Sequence, residues 1–548
     1  MIAFIPSLFM IKYFINGRSM PEKPKESLSS SAARMAYVLY IGQIFAVIVS
    51  VVTFVVLTRM LGPSNYGFYI LAVSFAAIIG GMQNFGIGAY MNRNLARQSA
   101  SSDSKGISRT ISSGFALLLP VAALITLLGI GLSGVVAGVV FGSAGVSSLS
   151  LALASLWIFF MMLQNTAIMT LVGLSRPTAA ATITVAIDVV QLISILALLY
   201  IGMGVNGALI GMLIGYAFGA FVAVIYSIRI ASMFKGFSLR MPSRNDIYEV
   251  FKFSAPLGLI NITKLATQNL SVLILGIFTS AVVLGNYSAA MKGFLLTTTI
   301  FTTSSTLLIP VFSRAGHGAK ARKARNASYD KIILYSLIFS MPIIIYIGAM
   351  ASPGLSILLS NKYAYAPMYL TLIAFGTAIS MIGVSLSSLI ISEGATKHYL
   401  RYSIASMLIQ LAAMAVLVPY FNVIGVIASV FFIGSITSNL LFIRFAAREL
   451  KARLSYLRMH LILLANLILA LPLLAMLLLP WHVLQLAAGI IVLLLVYPII
   501  LGLMRLVERS DLDRLAASTS SIKYAGVVVR MLCRYTAIFL SKNGAPNA

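Results

Sequence analysis

Three ionisable side chains fall deep inside apolar stretches of this chain: Asp188, Lys264 and Lys292. A charge at the centre of a bilayer-spanning helix costs about 2.5–3.5 kcal/mol on insertion scales, so each needs a task or a partner. Lys264 lies eleven residues beyond Phe253, where its apolar run begins, roughly 16 Å along a helix at ~1.5 Å per residue. A flexible ammonium at that depth suits an anion such as a phosphate. The alternative is a structural lysine held by Asp188 or by backbone carbonyls. Lys292 lies six residues beyond Asn286, about 9 Å from the end of its run, where it either meets substrate or snorkels to headgroups along its own stem. Arg59 closes the first apolar run and reads as an anion contact or as a charge satisfying the last carbonyls before Gly62. Asp188 stands ten residues into its run. It is a candidate proton carrier, because a low-dielectric setting favours the neutral carboxyl, or else a bridge between helices near Gln191.

Other chemistries find no residues. Cys533 is the single cysteine, which excludes an intrachain disulfide and a cysteine metal site. His317, His398, His460 and His482 are scattered without ligand spacing. No Gly-rich loop ending in Lys-Ser/Thr is present, so an ATP-driven pump is not expected. The expectation is a protein that is not an enzyme and carries no metal or cofactor. A net charge of +27 would suit a nucleic-acid partner only if the cations formed one surface, and they do not.

The elements that carry these residues follow from hydropathy. The 548 residues are 60% hydrophobic and 9% charged, against about 25% charged in soluble domains. Apolar runs of about twenty residues, each enough to span hydrocarbon as a helix, recur at 35–57, 67–90, 111–135, 149–172, 178–201, 206–228, 253–278, 286–312, 332–352, 367–391, 400–420, 423–443, 460–480 and 483–504. This predicts an all-α polytopic membrane protein of fourteen spans. Gly62-Pro63-Ser64-Asn65, Ser175-Arg176-Pro177 and Pro480 separate closely spaced neighbours. Of the 39 Lys and Arg, all but Arg59, Lys264, Lys292 and Lys362 fall in alternate connecting segments. The positive-inside rule then places those segments and both termini in the cytoplasm.

Residues 1–34 form an N-terminal segment. Within it Met1–Phe14, interrupted by Lys12, fits an interfacial stretch, or a start upstream of a true initiator at Met20, better than a signal peptide. Residues 522–540 place Lys523, Arg530 and Arg534 on one helical face, as in a basic amphipathic helix lying on the inner leaflet; this helix belongs to a tail spanning 505–548. Tyr66, Tyr69, Tyr90, Tyr287, Tyr363, Tyr365 and Tyr420, read as lying near outer ends, suit either sugar stacking or an interfacial aromatic belt.

The chain also repeats. A displacement of 221 residues lays Asn65-Tyr66 on Asn286-Tyr287 and Arg93 on Arg314; Gln191 falls on Gln410 at 219 and Gly207 on Gly425 at 218. Six spans (35–228) thus precede six more of the same orientation (253–443), with two appended (460–504). Parallel repeats of this kind place a substrate site between the halves.

Thr58-Arg59-Met60-Leu61-Gly62-Pro63-Ser64-Asn65-Tyr66-Gly67 resembles the outer turn of polysaccharide-export flippases in the multidrug/oligosaccharidyl-lipid/polysaccharide superfamily. Leu273-Ile274-Leu275-Gly276 with Leu284-Gly285-Asn286-Tyr287-Ser288-Ala289-Ala290 is similar to the matching stretch of the second half. Leu308-Ile309-Pro310-Val311-Phe312-Ser313-Arg314 and Pro419-Tyr420-Phe421-Asn422-Val423-Ile424-Gly425 are further echoes, with Asn422 where the family usually has Gly. The resemblance covers roughly residues 35–505. It implies a two-lobed, V-shaped carrier of polyprenyl- or dolichyl-linked sugars, with a cationic cavity that faces in and out alternately, in the cell membrane alongside glycosyltransferases of the same pathway. Many relatives have an acidic residue where this chain has Ser271, so an ion-coupling role for that carboxylate does not carry over. Two other readings compete. A cation-coupled drug exporter of the same superfamily would want cavity carboxylates, yet two deep lysines outnumber one aspartate. A non-transport subunit of a glycan-assembly complex would want a large outer loop, yet the longest outer segment is 352–367.

Overall fold

Hydrocarbon offers no water to peptide groups, so a chain with this hydropathy must close its backbone hydrogen bonds within each segment. The computed structural model describes residues 28–80, 86–141, 146–306, 319–359, 361–392, 395–449, 455–509, 512 and 525–540. Among these residues the regular elements are all helical. They are α1 (Leu28–Ile79), α2 (Ile87–Ala100), α3 (Ser104–Val135), α4 (Ser148–Gly173), α5 (Pro177–Tyr200), α6 (Gly204–Ala231), α7 (Arg244–Phe278), α8 (Ala281–Thr306), α9 (Ala319–Ala349), α10 (Ala351–Leu358), α11 (Ala366–Ser392), α12 (Thr396–Ile427), α13 (Gly434–Arg448), α14 (Tyr456–Ala475), α15 (His482–Leu503) and α16 (Ala525–Phe539). The fourteen apolar runs are mainly helical where they are described. Among the described residues nine helices are long and apolar enough to cross a membrane, or ten if Ile333–Ala349 and Ala351–Leu358, bent by 65°, form one span, and the chain is a multi-pass membrane protein. Met1–Phe14, Arg314 and Lys523 lie outside the described residues.

Two stretches are too long to be single spans. Phe45–Ile79 has 35 residues and Lys397–Arg448 has 52, the latter about 78 Å of helix against a hydrocarbon core of about 30 Å. Each is broken at a turn read from the sequence. Gly62 sits at φ 69°, ψ 174° inside α1, and Asn422 at φ 48°, ψ −124° inside α12. Glycine enters such backbone without steric cost. Asn422 has a Cβ and holds a conformation that side-chain-bearing residues rarely adopt.

The chain forms two compact units: Met1–Met60 with Leu71–Asn269, and Leu61–Ile70 with Leu270–Ala548. In the first, α6 presents Gly207, Gly211, Gly215 and Gly219 at intervals of four. Gly211 lies on Ile195, Gly215 on Gln191 and Gly219 on Ile187 of α5. Small residues on one stripe let membrane helices approach until dispersion and Cα–H···O contacts hold them.

The second unit repeats this motif. Gly434 lies on Gln410 as Gly215 lies on Gln191, and Gly425 lies on the Leu417 carbonyl as Gly207 lies on that of Leu198. The pairs are related by 218 or 219 residues. One further pair corrects the register of the repeat's first part. Gly67 touches the Ala281 carbonyl and Gly285 touches the Pro63 carbonyl, a reciprocal contact within the second unit at a displacement of 218. Tyr69, not Tyr66, therefore corresponds to Tyr287. The Asn-Tyr identity at 221 is a coincidence of three residues, and Asn65 is exposed where Asn286 is buried.

The last spanning pair docks on α9. Tyr346 and Tyr497 donate to the carbonyls of Leu486 and Ile338, at 3.0 and 2.9 Å. Asp330 accepts from both the backbone N–H and the hydroxyl of Ser455, just before α14. Helix α16, with 15 residues, buries Cys533 and Thr536 and meets Gly502 of α15 through Thr536 and Phe539. Its outer face carries Met531, Arg534 and Ile538, the mixture expected of an interfacial helix.

Candidate functional site

Close packing of α5 on α6 positions the polar residues inside the first unit. With Ile187 and Gln191 pressed on Gly219 and Gly215, Asp188 comes within electrostatic reach of Tyr216 on α6. The Tyr216 ring meets Trp157 of α4 edge-on, with centroids 5.6 Å apart. Gln164, one face further along α4, approaches the same α6 stripe at Gly219. Both Trp157 Nε1 and Gln164 Oε1 are buried without a hydrogen-bond partner. Buried polar atoms are rarely left so, and Tyr216, which Trp157 meets, is the residue of α6 that half-buried Asp188 reaches. The arrangement suits a proton or a small hydrated species better than an apolar core.

In the second unit the Asn286-Tyr287 stretch has a structural task. Asn286 is 1% exposed. Its Oδ1 accepts from the backbone N–H groups of Tyr365 and Ala366, both at 3.1 Å, and its amide donates to the Val282 carbonyl at 2.9 Å. It thus ties α8 to the start of α11 by satisfying N–H groups that a helix N-terminus leaves open. The adjoining tyrosines follow suit. Tyr66 stacks on Tyr69 and meets Tyr363 edge-on, and these three, with Tyr287, are buried. Burial raises the pKa of the Tyr363 phenol, so it stays protonated. Neither an aromatic belt nor a sugar platform describes these four; they are core. Tyr365 and Tyr420 remain exposed. Tyr90 is a correction. It packs on Phe253, 5.6 Å away, with Arg93 over the same ring, so it lies at the basic-loop end.

The expected site residues distribute over both units. Arg59 is exposed one turn before the Gly62 break, and Lys292 is exposed on α8. Asp188 sits in the polar cluster just described. Lys264 lies on α7, and its side chain is outside the described residues. Ser271 is buried, with its hydroxyl 3.9 Å from the Met414 sulfur. Trp157, Gln164 and Tyr216 escaped the sequence reading; the four-residue glycine spacing on α6 was the available signal that α5 would lie unusually close.

A family model described as "Polysaccharide biosynthesis protein" matches residues 32–316. No curated protein matches the chain. Among solved structures, the lipid II flippase MurJ in an inward closed conformation aligns with a TM-score of 0.66 at 16% identity, covering 84% of this chain and 97% of that one. An inward-facing multidrug resistance MATE family transporter of the MOP superfamily aligns with a TM-score of 0.61 at 16% identity, covering 74% and 95%. At these identities the likeness is one of fold.

Proposed function

The chain belongs to the polysaccharide biosynthesis protein family, and from that premise we propose that it is a flippase, an alternating-access transporter that carries a lipid-linked oligosaccharide or polysaccharide unit across the cytoplasmic membrane. The observation that carries the reading is the family match joined to a fold that spans nearly the whole of a lipid II flippase. Lys264, Lys292 and Arg59 bind the phosphate or pyrophosphate of the carrier lipid. A lysine offers this charge without a fixed geometry, so it can follow a headgroup as it moves. Asp188, within electrostatic reach of Tyr216, takes and releases the proton that couples the cycle. Transport needs no covalent chemistry. The basic loops and both termini face the cytoplasm, where glycosyltransferases of the pathway deliver substrate.

The MATE likeness supports one other reading, a cation-coupled drug exporter. Two deep lysines against one deep aspartate weigh against a cationic substrate. Reconstitution decides between them. Proteoliposomes containing the protein should move a fluorescent polyprenyl-linked sugar between leaflets, and Lys264→Ala should stop this at normal abundance. Export of a cationic dye with no movement of the lipid-linked sugar would overturn the assignment.

A further inference from the structure

One groove lies away from every residue assigned above. It opens on the first unit among α3, α4 and α6, has a volume of about 590 Å³, and is walled by Phe115, Leu119, Leu163, Phe221, Ile225 and Ile228. Along α6 it runs from Ile228 to Ala220, about 12 Å by helical rise, which is most of the roughly 15 Å depth of one leaflet.

An extended strap before α7 closes the end of the groove nearest the basic loops. Ser238 and Arg240 donate their backbone N–H groups to the Ser108 and Ser112 hydroxyls, one turn apart on α3, at 3.1 and 3.2 Å. Arg240 Nε donates to Ser238 Oγ at 3.0 Å. Leu239 and Met241, which line the groove with Arg240, are 58% and 99% exposed. Apolar side chains so exposed on either side of an arginine belong at the boundary between acyl chains and headgroups. Among the described residues Arg240 is the one charged residue of the lining, which holds no carboxylate. The nearby Asp246 is occupied, pairing with Arg109 at 3.3 Å and exchanging hydrogen bonds with Ser243 at the start of α7.

We propose that this groove is a binding site for an anionic glycerophospholipid of the leaflet that borders the basic loops, with one acyl chain along α3 and α6 and the phosphate on Arg240. A chain-wide slot of leaflet depth ending in one cation matches a resident phospholipid. It offers no polar wall to sugar rings, which separates it from the transported substrate. The site is independent of the flippase assignment.

Native mass spectrometry of the full chain tests it, with phosphatidylglycerol and phosphatidylcholine of identical acyl chains as probes. The wild type should retain phosphatidylglycerol about fivefold better, the effect of one basic residue on an anionic lipid. Arg240→Gln should bring the two to parity. Val224→Trp, which fills the groove, should remove both; Ala116→Leu serves the same end if that variant aggregates. Arg176→Gln, an exposed arginine elsewhere on the unit, should change nothing. Equal retention of the two lipids by the wild type, an undiminished preference in Arg240→Gln, or a loss of preference in Arg176→Gln would each overturn the proposal. So would displacement of phosphatidylglycerol by an equal concentration of undecaprenyl phosphate, since the groove would then belong to the transported lipid.

Discussion

Substitution of Gly211 by alanine should destabilise the first unit, whereas the same change at Gly219 should not. A methyl group at Gly211 would stand 2.6 Å from the Ile195 backbone nitrogen and 2.7 Å from its Cα. Backbone cannot step aside, so α5 and α6 must part along their whole contact. At Gly219 the obstacle is the Ile187 Cδ1 and Cγ1, side-chain atoms that yield more readily than backbone, although Cγ1 belongs to a β-branched residue with restricted χ1. Alanine gains about 1 kcal/mol over glycine in a helix, and forced overpacking costs about 1–3 kcal/mol. With the backbone as obstacle the upper figure applies, leaving a net loss of about 2 kcal/mol for Gly211→Ala, roughly 30-fold in the folding equilibrium. With a side chain as obstacle the two terms cancel for Gly219→Ala. Reversible unfolding in mixed micelles of mild and denaturing detergent measures both. Gly211→Ala as stable as the wild type, or Gly219→Ala the more damaging of the two, would refute the view that backbone proximity sets the cost.

Asn286→Ala should cost about 0.5–2 kcal/mol through the two N–H groups it uncaps at α11, and Asn286→Asp should not recover this, because at this buried position a carboxylate oxygen would replace the amide that donates to the Val282 carbonyl; the same unfolding assay reads both. Asn422→Gly should raise the unfolding midpoint by relieving about 1–3 kcal/mol of backbone strain at φ 48°, and an unchanged midpoint would show the turn to be unstrained. Lys264→Ala should abolish translocation while abundance stays normal, with Lys264→Arg keeping part of it; reduced abundance rescued by Asp188→Asn would instead identify a structural pair. In a background lacking Cys533, an impermeant thiol reagent applied from outside should label cysteines at Ser64 and Ser360 and miss those at Ser313 and Ser328. Strong labelling at Ser328 would invert the proposed topology.

Hydropathy, charge and turn residues alone determined the apolar runs, the break at Gly62 and the alternation of basic loops, while the turn at Asn422 came with the family resemblance. The reason is that a bilayer leaves a backbone few choices: apolar runs must be helices, and turns must fall where glycine, proline or asparagine permits them. The depth of Asp188, Lys264 and Lys292 was likewise arithmetic on helical rise. What lay beyond the sequence was anything set by neighbours distant along the chain. The glycines at 207, 211, 215 and 219, passed over in the sequence, could have announced a close partner but not which one, because a small residue permits approach without choosing what approaches. The identity of Asn-Tyr at 65 and 286 suggested a register of 221, and only the reciprocal contact of Gly67 with Ala281 and Gly285 with Pro63 placed it at 218. Letter identity is short and chance-prone, while backbone contact admits one register. Tyr66, Tyr69 and Tyr287 looked interfacial from their positions near span ends and proved to be core, since burial depends on what packs against a ring and not on its depth in the membrane.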